Sequence, residues 1–396
     1  MPSVFDHLNF LVGDVEALRR MSGTPALPPF SEPVIRFLDE VSRRLMGHPS
    51  AKIYPDVVTF AFWCRRASLE GLQKPYGTLP DRLGRGVAFH VAPSNVPVNF
   101  AFSLVTGLLA GNANVVRVPS KDFPQVDMIC GAIRDALPAH PEIKDWICLV
   151  KYGHEKAVTD ELSALCDARI IWGGDDTIQA IRESRLPPRA VEITFADRYS
   201  FAIVDADHYL KLDPAKVAQD FFNDTFLTDQ NACTAPQLVV WRGKAIEAAK
   251  VRFWEALHKI VAGRYLLQPV QAVGKWSAVC RLVEAMEGRM VAAEDNLITR
   301  IKVSTLDPKL MDYKHHSGFF VEYDLKNMEE ILPMCTKRCQ TIAYLGLEAK
   351  EIGGVLMPNA PKGVDRVVPV GRTMDFSVVW DGYDLINTLS RVCEIL

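Results

Sequence analysis

The stretch GVAFHVAPSNVPVNFAFSLVTGLLAGNANVVRVPSKD, residues 86–122, decides the fold. No Asp, Glu, Lys or Arg occurs from Gly86 to Val116, a run longer than the ~20 residues that span a bilayer. Prolines and asparagines interrupt the run, and its pattern indicates a strand, a helix that ends at Gly111, and a second strand. Two charge-free strands joined by an apolar helix indicate a buried parallel sheet, so we predict no membrane span.

The same alternation continues along the chain. It gives the predicted strands DWICLVKY (145–152), ARIIWGG (168–174) and SFAIVDA (200–206), with amphipathic helices between them. Earlier, residues 30–72 show apolar spacings of three and four, which predict helices that pack on one face of the sheet. Short connections between alternating elements favour an α/β, doubly wound and mostly parallel sheet, with its ligand site at the C-terminal strand ends.

The character of the sequence changes after Asp207, where helical patterns surround the turn-like segment TDQNACTAPQ (228–237). We therefore predict a first domain over 1–206, a second α/β domain over 207–362 that contains Cys233, and a C-terminal segment over 363–396. The last segment is expected to complete the active-site cleft or an oligomer contact, and the cleft between the domains is the expected site.

Composition excludes several classes of function. The formal net charge is -3 and no long run of like charge occurs, so nucleic acid is not an expected partner. Nine scattered cysteines, mostly in apolar runs, suit free thiols in a reducing compartment, and their spacing does not suggest a metal site. The first residues lack a basic segment before an apolar one, so we expect no signal peptide and a cytoplasmic protein. We also expect a homo-oligomer.

Two residues are candidates for covalent chemistry. Cys233 lies on a polar turn, where main-chain N–H groups can stabilise a thiolate, although it could equally be an incidental loop cysteine. Asn95 follows the strand GVAFHVA, and Pro97 is expected to open the next helix. At that place the Asn95 amide can donate to an oxyanion, or it can simply cap the helix.

Two further places suit the ribose and phosphates of a dinucleotide. The strand NANVVRVPSKD contributes Arg117 and ends at Ser120 and Lys121, while Gly173 and Gly174 stand between a strand and a helix N-terminus. Most glycine pairs of this kind only make a tight turn, so this signal is weak by itself.

The order and spacing of these elements resemble the aldehyde-dehydrogenase superfamily. PSNVP (93–97), AGN (110–112), VPSK (118–121) and WGGDD (172–176), with Cys233 some sixty residues later, match that pattern. More narrowly, the chain is similar to the LuxC-type acyl-CoA reductases, the fatty-acid reductases of bacterial bioluminescence and their relatives. That similarity rests on three further segments, which are TDQNACTAPQ, KRCQTIAYLG (337–346) and GVDRVVPVGRTMDFSVVWDGYDLI (363–386).

The resemblance implies a Rossmann-like NAD(P)-binding domain and a catalytic domain with Cys233 as the nucleophile. It implies NAD(P)H-dependent reduction of an activated acyl group to an aldehyde through a thioacyl-cysteine, with Asn95 at the oxyanion and no metal. The acyl thioester could come from CoA, a carrier protein or an acyl-activating enzyme.

Two positions depart from the superfamily pattern. Where hydrolytic members have a glutamate that activates water, this chain has Phe195, with Glu192 three residues upstream, so a catalytic role of Glu192 is doubtful. Lys121 stands where members that use NAD often have a glutamate that binds the ribose hydroxyls. A cation there would attract a 2′-phosphate, which favours NADPH over NADH, unless Lys121 points to solvent.

Other readings stay open. The same fold could serve an aldehyde dehydrogenase or an acyl-phosphate reductase, and Cys233 could belong to an acyl-thioester carrier or acyltransferase subunit that binds no nicotinamide cofactor. The pair His315 and His316 could suggest a metal site. Adjacent residues on a strand point to opposite faces, so we expect surface histidines or histidines with satisfied hydrogen bonds.

Overall fold

The computed structural model describes residues 4–94, 96–293 and 295–395. Contacts divide the chain into two units, one made of the residues up to Ala196 with those from Phe376 onward, and one of Asp197–Asp375. Within the described ranges, no helix is long and apolar enough to cross a bilayer.

The first unit holds two groups of elements. Its helices are α1 (Val15–Met21), α2 (Glu32–Gly47), α3 (Pro55–Trp63), α4 (Arg66–Gln73), α5 (Asn99–Leu109), α6 (Pro124–Ala136), α7 (Lys156–Leu165) and α8 (Asp175–Arg182). Its strands are β1 (Asn9–Val12), β2 (Arg82–Gly84), β3 (Val87–Val91), β4 (Ala113–Arg117), β5 (Ile147–Lys151), β6 (Ala168–Trp172) and β7 (Val191–Phe195).

The second unit follows along the chain. It contains the strands β8 (Tyr199–Asp205), β9 (Pro236–Arg242), β10 (Gly288–Val291), β11 (Thr299–Val303), β12 (Phe319–Asp324), β13 (Cys339–Leu345) and β14 (Arg366–Pro369). Its helices are α9 (Ala206–Tyr209), α10 (Pro214–Thr225), α11 (Ile246–Arg264), α12 (Pro269–Ala285) and α13 (Ala349–Asn359). The chain then returns to the first unit with β15 (Val379–Trp380), β16 (Tyr383–Asp384), α14 (Leu385–Leu389) and β17 (Ser390–Val392).

Short 3-10 turns connect several of these elements. They are Val4–His7, Ala51–Ile53, Lys74–Tyr76, Leu137–Ala139, Pro141–Trp146, Phe226–Thr228, Pro308–Tyr313 and Met328–Met334.

The first sheet confirms the predicted α/β architecture. Its strand order is β1-β5-β4-β3-β6-β7, and every neighbouring pair is parallel except β1 with β5. The charge-free stretch forms β3, α5 and β4, and nine residues of α5 are buried. A helix enclosed in this way needs apolar residues all round, which explains why the stretch carries no charge.

The second sheet corrects one strand assignment and one domain boundary. SFAIVDA (200–206), expected as the last strand of the first sheet, forms β8 of the second, where it pairs in parallel with β9 and β13. Periodicity identifies a strand but not its partner. The boundary therefore falls at Asp197 rather than at residue 207, and residues 363–396 divide at Phe376 between the two units.

The faces of the second sheet are both covered. Its order is β10-β11-β12-β9-β8-β13-β14, with β10 antiparallel to β11 and the other neighbours parallel. Phe201 and Ile203 pack on the side of α12 and α13, whereas Ala202 and Val204 pack on the side of α10 and α11. Alternate residues of β8 thus enter different cores, as the two-residue period of a strand requires.

Candidate active site

Cys233 lies in the loop between the turn Phe226–Thr228 and β9, and it is half-buried. Six of the other cysteines are buried in apolar surroundings, namely Cys64, Cys130, Cys148, Cys166, Cys335 and Cys339. Burial raises the pKa of all six, to about 12 for Cys130 and Cys166 among them. A thiol must ionise to act as a nucleophile, so these six positions do not suit covalent chemistry.

The loop before Cys233 turns through two left-handed residues. Asp229 and Gln230 have φ angles of 51° and 53°, which residues other than glycine rarely adopt. Main-chain bonds hold the turn, since the Gln230 N–H donates to the Thr225 carbonyl at 2.8 Å and the Asn231 N–H to the Thr228 carbonyl at 2.9 Å. A strained conformation that its surroundings fix in this way is common at functional sites.

The side-chain amide of Gln230 fixes this turn to two strands. Its Nε2 donates to the carbonyl oxygens of Pro236 and Phe319, at 3.2 Å each. Its Oε1 accepts from the N–H groups of Gly318 at 2.7 Å and Phe319 at 3.1 Å. Gln230 is buried, and these four bonds use both donors and both acceptor positions of its amide.

The carboxylate of Asp229 fixes the outer side of the turn. It accepts from the Tyr265 hydroxyl, from Gln271 Nε2 at 2.9 Å and from Ser317 Oγ at 3.1 Å. Burial, followed by the bond to Asp229, raises the pKa of Tyr265, which keeps that phenol protonated as a donor. Helix α12, through Gln271, therefore helps to hold the Cys233 loop.

The Cys233 main chain lies at the N-terminal edge of the second sheet. Its carbonyl accepts from Ser200 Oγ on β8 at 2.7 Å, and the same Oγ accepts from the Thr341 N–H of β13 at 3.2 Å. The next residue, Thr234, donates through Oγ1 to the Met374 sulfur at 3.3 Å. The Cys233 carbonyl and the Thr234 side chain are thus both bonded to side chains of this unit.

The segment that carries Met374 is itself held by Asp224 of α10. The Asp224 carboxylate accepts from the Gly371 N–H at 2.6 Å and from the Thr373 N–H at 3.1 Å. Burial raises the pKa of Asp224 to about 7, against the opposite effect of these two N–H groups. Gly371 has a φ of 89°, and a Cβ there would lie 2.8 Å from the Asp220 side chain, so glycine is required.

Asn95, the predicted oxyanion donor, lies outside the described residues. The flanking elements are as expected, because β3 ends at Val91 and α5 follows. The helix begins at Asn99, two residues after Pro97, and not at the proline. The role of Asn95 stays a prediction.

The cofactor candidates at the end of β4 differ in their surroundings. Arg117 donates to the carbonyl oxygens of Tyr152 and Gly153, and its guanidinium lies 4.6 Å from the Tyr152 ring centroid. Ser120 and Lys121 are exposed, and no ion pair of Lys121 is found in the described part of the chain. One nitrogen of Arg117 thus binds the segment that follows β5, while Ser120 and Lys121 are free to reach a ligand.

The glycine pair lies where the sequence placed it. Gly173 follows β6 and Gly174 caps α8, but neither has a positive φ. A Cβ at Gly174 would meet nothing within 4 Å, so open space surrounds this part of the main chain. Asp175 and Asp176 occupy the first turn of α8, and these carboxylates already complement the positive end of the helix dipole.

Glu192 and Phe195 lie on β7, at or near the position where hydrolytic members of the superfamily have a general base. Glu192 accepts from Arg169 Nε at 2.9 Å and from Arg182 Nε at 2.6 Å, so arginines engage both of its oxygens. Phe195 stacks on Trp172, with ring centroids 3.7 Å apart and an interplanar angle of 18°. Both oxygens of Glu192 are thus engaged in hydrogen bonds with guanidinium groups, and the superfamily position itself is aromatic.

A buried chain of polar groups under the first sheet was missed by the sequence reasoning. Trp172 Nε1 donates to Ser103 Oγ at 3.0 Å, which lies 2.7 Å from His90 Nδ1, while His90 Nε2 lies 2.9 Å from Asn114 Oδ1. Burial lowers the pKa of His90 to about 4, so the ring is neutral. A Cβ at Gly107 would lie 1.9 Å from Asn114 Oδ1, so α5 needs glycine there. His90, Ser103 and Asn114 are polar residues inside the charge-free stretch, and their presence there could have indicated a buried hydrogen-bonded group.

The histidine pair lies in the turn before β12 and not on a strand. His316 Nδ1 lies 3.0 Å from the Gln230 carbonyl oxygen, and His315 Nδ1 lies 3.1 Å from the His316 carbonyl oxygen. Residues 4–94, 96–293 and 295–395 contain no cluster of three His, Cys, Asp or Glu side chains able to hold a metal ion. His316 thus contacts the Cys233 loop through the main chain of Gln230.

Comparisons with known proteins agree with this arrangement. A family model described as acyl-CoA reductase (LuxC) matches residues 56–392. The long-chain acyl-protein thioester reductase of Vibrio harveyi is 29% identical over 324 residues, which are 79% of this chain and 64% of that protein. The enzyme of the same name from Photorhabdus laumondii is 24% identical, over 78% of this chain and 62% of its own. The chain thus spans less than two thirds of the length of these curated relatives.

Solved structures with the same fold are aldehyde dehydrogenases. The aldehyde dehydrogenase 21 of Physcomitrella patens has a TM-score of 0.69 at 13% identity, over 95% of this chain and 87% of its own. The NAD-dependent benzaldehyde dehydrogenase of Corynebacterium glutamicum has a TM-score of 0.68 at 13% identity, over 99% of this chain and 95% of its own. With an aldehyde-dehydrogenase fold and a family model that covers most of its length, this chain belongs to the acyl-CoA reductase (LuxC) family.

Proposed function

We propose that this chain reduces an acyl thioester to an aldehyde with NADPH or NADH, through a thioacyl intermediate on Cys233. The observation that carries the proposal is the position of Cys233, half-buried on a strained turn that Gln230 ties to two strands. The names of the Vibrio and Photorhabdus relatives, long-chain acyl-protein thioester reductases, support this reaction class.

The covalent step requires a thiolate at a fixed place. The Cys233 sulfur attacks the acyl carbonyl, its new C–S bond forms, and the carbonyl oxygen becomes an oxyanion. We assign the Asn95 amide and the Cys233 N–H as donors to that oxygen. The C–S bond to the donor then breaks, and the departing thiolate takes a proton from solvent.

The reductive step involves Cys233 and the Asn95 amide, as the covalent step does. When bound, NADPH or NADH would supply the hydride that reduces the thioacyl carbon. Asn95 again faces the oxyanion of the resulting thiohemiacetal. Cleavage of its C–S bond releases the aldehyde and restores the Cys233 thiolate, so the protein ends in its starting state.

The residues of the first unit fit a dinucleotide in part. Exposed Ser120 and Lys121 follow a strand of a parallel sheet, and the open space at Gly174 admits close approach. We assign the ribose and any 2′-phosphate to Ser120 and Lys121. Arg117 uses its Nη2 for two carbonyl oxygens, which leaves its other N–H groups for a phosphate, whereas the two aspartates that open α8 would repel a phosphate at that helix.

We favour reduction over hydrolysis because, among the described residues, neither Glu192 nor Phe195 is placed to activate water. Phe195 occupies the superfamily position of the base, and two arginines engage Glu192. The thioacyl group should therefore persist until reduction. An aldehyde dehydrogenase that forms a carboxylate would need a base that these residues do not supply.

The test is a donor panel assayed by cofactor oxidation and by mass spectrometry. Acyl-CoA, an acyl carrier protein thioester and an acyl phosphate are each supplied with NADPH or NADH. We expect aldehyde only from thioesters, and a Cys233 acyl adduct when the cofactor is left out. Cys233→Ser should abolish both, whereas Cys393→Ser, a change at another half-buried cysteine, should leave both intact. Full turnover by Cys233→Ser would refute the mechanism.

A further inference from the structure

Helix α12 has apolar side chains on every side. Its inner residues Ala278, Val279 and Leu282 are buried in the core of the second unit. On its outer side, Val270 is 76% exposed, Val273 65%, Trp276 47% and Val283 43%. A helix that is apolar all round normally lies within a packed interior, so the outer side of α12 is an unusual surface.

Charge is missing from most of this surface. Between Gln268 and Cys280 the only charged residue is Lys275. Its side chain is buried and donates to the carbonyl oxygens of Asn296 and Leu297. Solvent-facing helices ordinarily carry charged residues on their outer side, and this segment presents valine, tryptophan, serine and cysteine instead.

Trp276 is held in place on this surface. Its Nε1 donates to Asn296 Oδ1 at 3.0 Å, so the ring lies on the helix at a fixed angle while almost half of it stays exposed. A large, oriented aromatic ring at the centre of an apolar strip is typical of the anchor of a protein contact.

The exposed residues are spaced symmetrically about one point. Val270 and Val283, Val273 and Cys280, and Trp276 and Ser277 lie at equal distances from the midpoint between residues 276 and 277. We propose that α12 packs antiparallel against α12 of a second copy of this chain, about a two-fold axis through that midpoint. Each residue of a pair then faces its counterpart on the second copy, as an isologous contact requires.

The charges on α12 and the area of its exposed apolar strip are both compatible with a second copy of this chain as the partner. In this register the outer charges Arg281 and Glu284 face Ala272 and Pro269 of the second copy, so no like charges meet. The strip would bury on the order of 1,000 Å² over both copies, near the lower limit for a specific contact. We therefore expect a dimer that dissociates in the micromolar range. This proposal is independent of the reaction.

Cysteine cross-linking tests the register. Val273→Cys places a thiol opposite Cys280 of the second copy, within the short Cα separation that a disulfide needs. Oxidation by diamide should give a covalent dimer whose joined peptides contain residues 273 and 280. The wild type should not cross-link here, because facing copies of Cys280 are seven residues out of register. Removal of the partner thiol in Val273→Cys, Cys280→Ser should abolish the dimer.

Val251→Cys is the matched control, since Val251 is an exposed valine of α11. If Val273→Cys cross-links no better than Val251→Cys, or cross-links equally without Cys280, the proposed contact is wrong.

Sedimentation of the full chain tests the contact without a disulfide. Val273→Glu should raise the dissociation constant of the dimer at least about 30-fold, because it buries an unpaired carboxylate against Cys280 of the second copy. Val251→Glu should leave the constant unchanged, and equal melting temperatures would show that both variants fold. A wild type that is monomeric at 100 micromolar, or a dimer that Val273→Glu does not weaken, overturns the proposal.

Discussion

Lys121 is the residue on which the preference between NADPH and NADH depends in the proposed function. It is exposed, and its neighbour Asp122 is paired with Lys151 at 2.5 Å. Lys121→Glu should lower the ratio of kcat/KM for NADPH over NADH about tenfold or more at low ionic strength, because a charge-assisted bond to a 2′-phosphate is lost. Lys52→Glu, a change at another exposed lysine, should leave the ratio unchanged. A ratio within twofold of wild type for Lys121→Glu would remove the case for NADPH.

Other single residues show how far sequence reasoning reaches. The polar run TDQNACTAPQ predicted a turn at Cys233, and the structure has one there. The left-handed conformations of Asp229 and Gln230 could not be predicted, since tertiary hydrogen bonds and not glycine support them. Arg117 stays a candidate phosphate ligand, and the bonds of its Nη2 to the carbonyl oxygens of Tyr152 and Gly153 could not be predicted, because these residues are remote in sequence.

At the scale of elements, α10 is joined to the segment that carries Met374 by one carboxylate. Asp224→Asn replaces one acceptor oxygen by an NH₂ group, which cannot accept from Gly371 or Thr373. We expect the free energy of unfolding to fall by about 1 to 3 kcal/mol at pH 5. Asp220→Asn, one helical turn earlier, should change it by less than about 0.5 kcal/mol.

The pH dependence of this loss follows from the pKa of Asp224, which burial raises to about 7. The native state then holds the proton more tightly than the unfolded state, so the contribution of Asp224 to stability falls as pH rises from about 4 to 7. The asparagine variant lacks this titration. Its deficit should therefore be larger at pH 5 than at pH 8 in denaturant titrations, and an equal deficit at both values would contradict the assignment.

The pairing of elements was less predictable than their existence. The strands and helices of residues 86–182 follow from apolar periodicity and short connections, whereas β7 (Val191–Phe195) was not predicted. Sequence order suggested that β8 extends the first sheet, yet β8 begins the second, between β9 and β13. Both interpretations bury the same apolar residues, so hydrophobicity alone could not separate them.

At the scale of the whole molecule, His90 makes the free energy of unfolding depend on pH in the acid range. Burial lowers its pKa to about 4, below the unfolded value near 6.5. Stability from this group is complete above about pH 6.5 and is lost as pH falls towards 4, by up to about 3 kcal/mol. His90→Gln, which keeps a donor for Asn114, lacks this titration, so the unfolding free energy of the wild type minus that of the variant should fall as pH goes from about 6.5 to 4. An unchanged slope would show that His90 does not govern acid unfolding.

His90 and Asp224 have opposite effects on the pH dependence of the whole chain. The first favours neutral pH over acid, and the second favours mild acid over neutral pH. Neither effect could be read from the sequence, because each depends on burial by segments far along the chain. Their contributions nearly cancel between about pH 4 and 6.5, so each single variant should reveal the slope that comes from the other group.

The amide of Gln230 bonds only to main-chain groups, those of Pro236, Gly318 and Phe319. Every residue has a carbonyl oxygen, and every residue except proline has an N–H group. The hydrogen bonds of the Gln230 amide, which fix the Cys233 loop, therefore place few requirements on the side chains at positions 236, 318 and 319. A glutamate at 230 would set oxygens against two carbonyl groups, so this one position has little freedom. Substitutions of the side chains around the turn can therefore accumulate while the position of the Cys233 sulfur is kept.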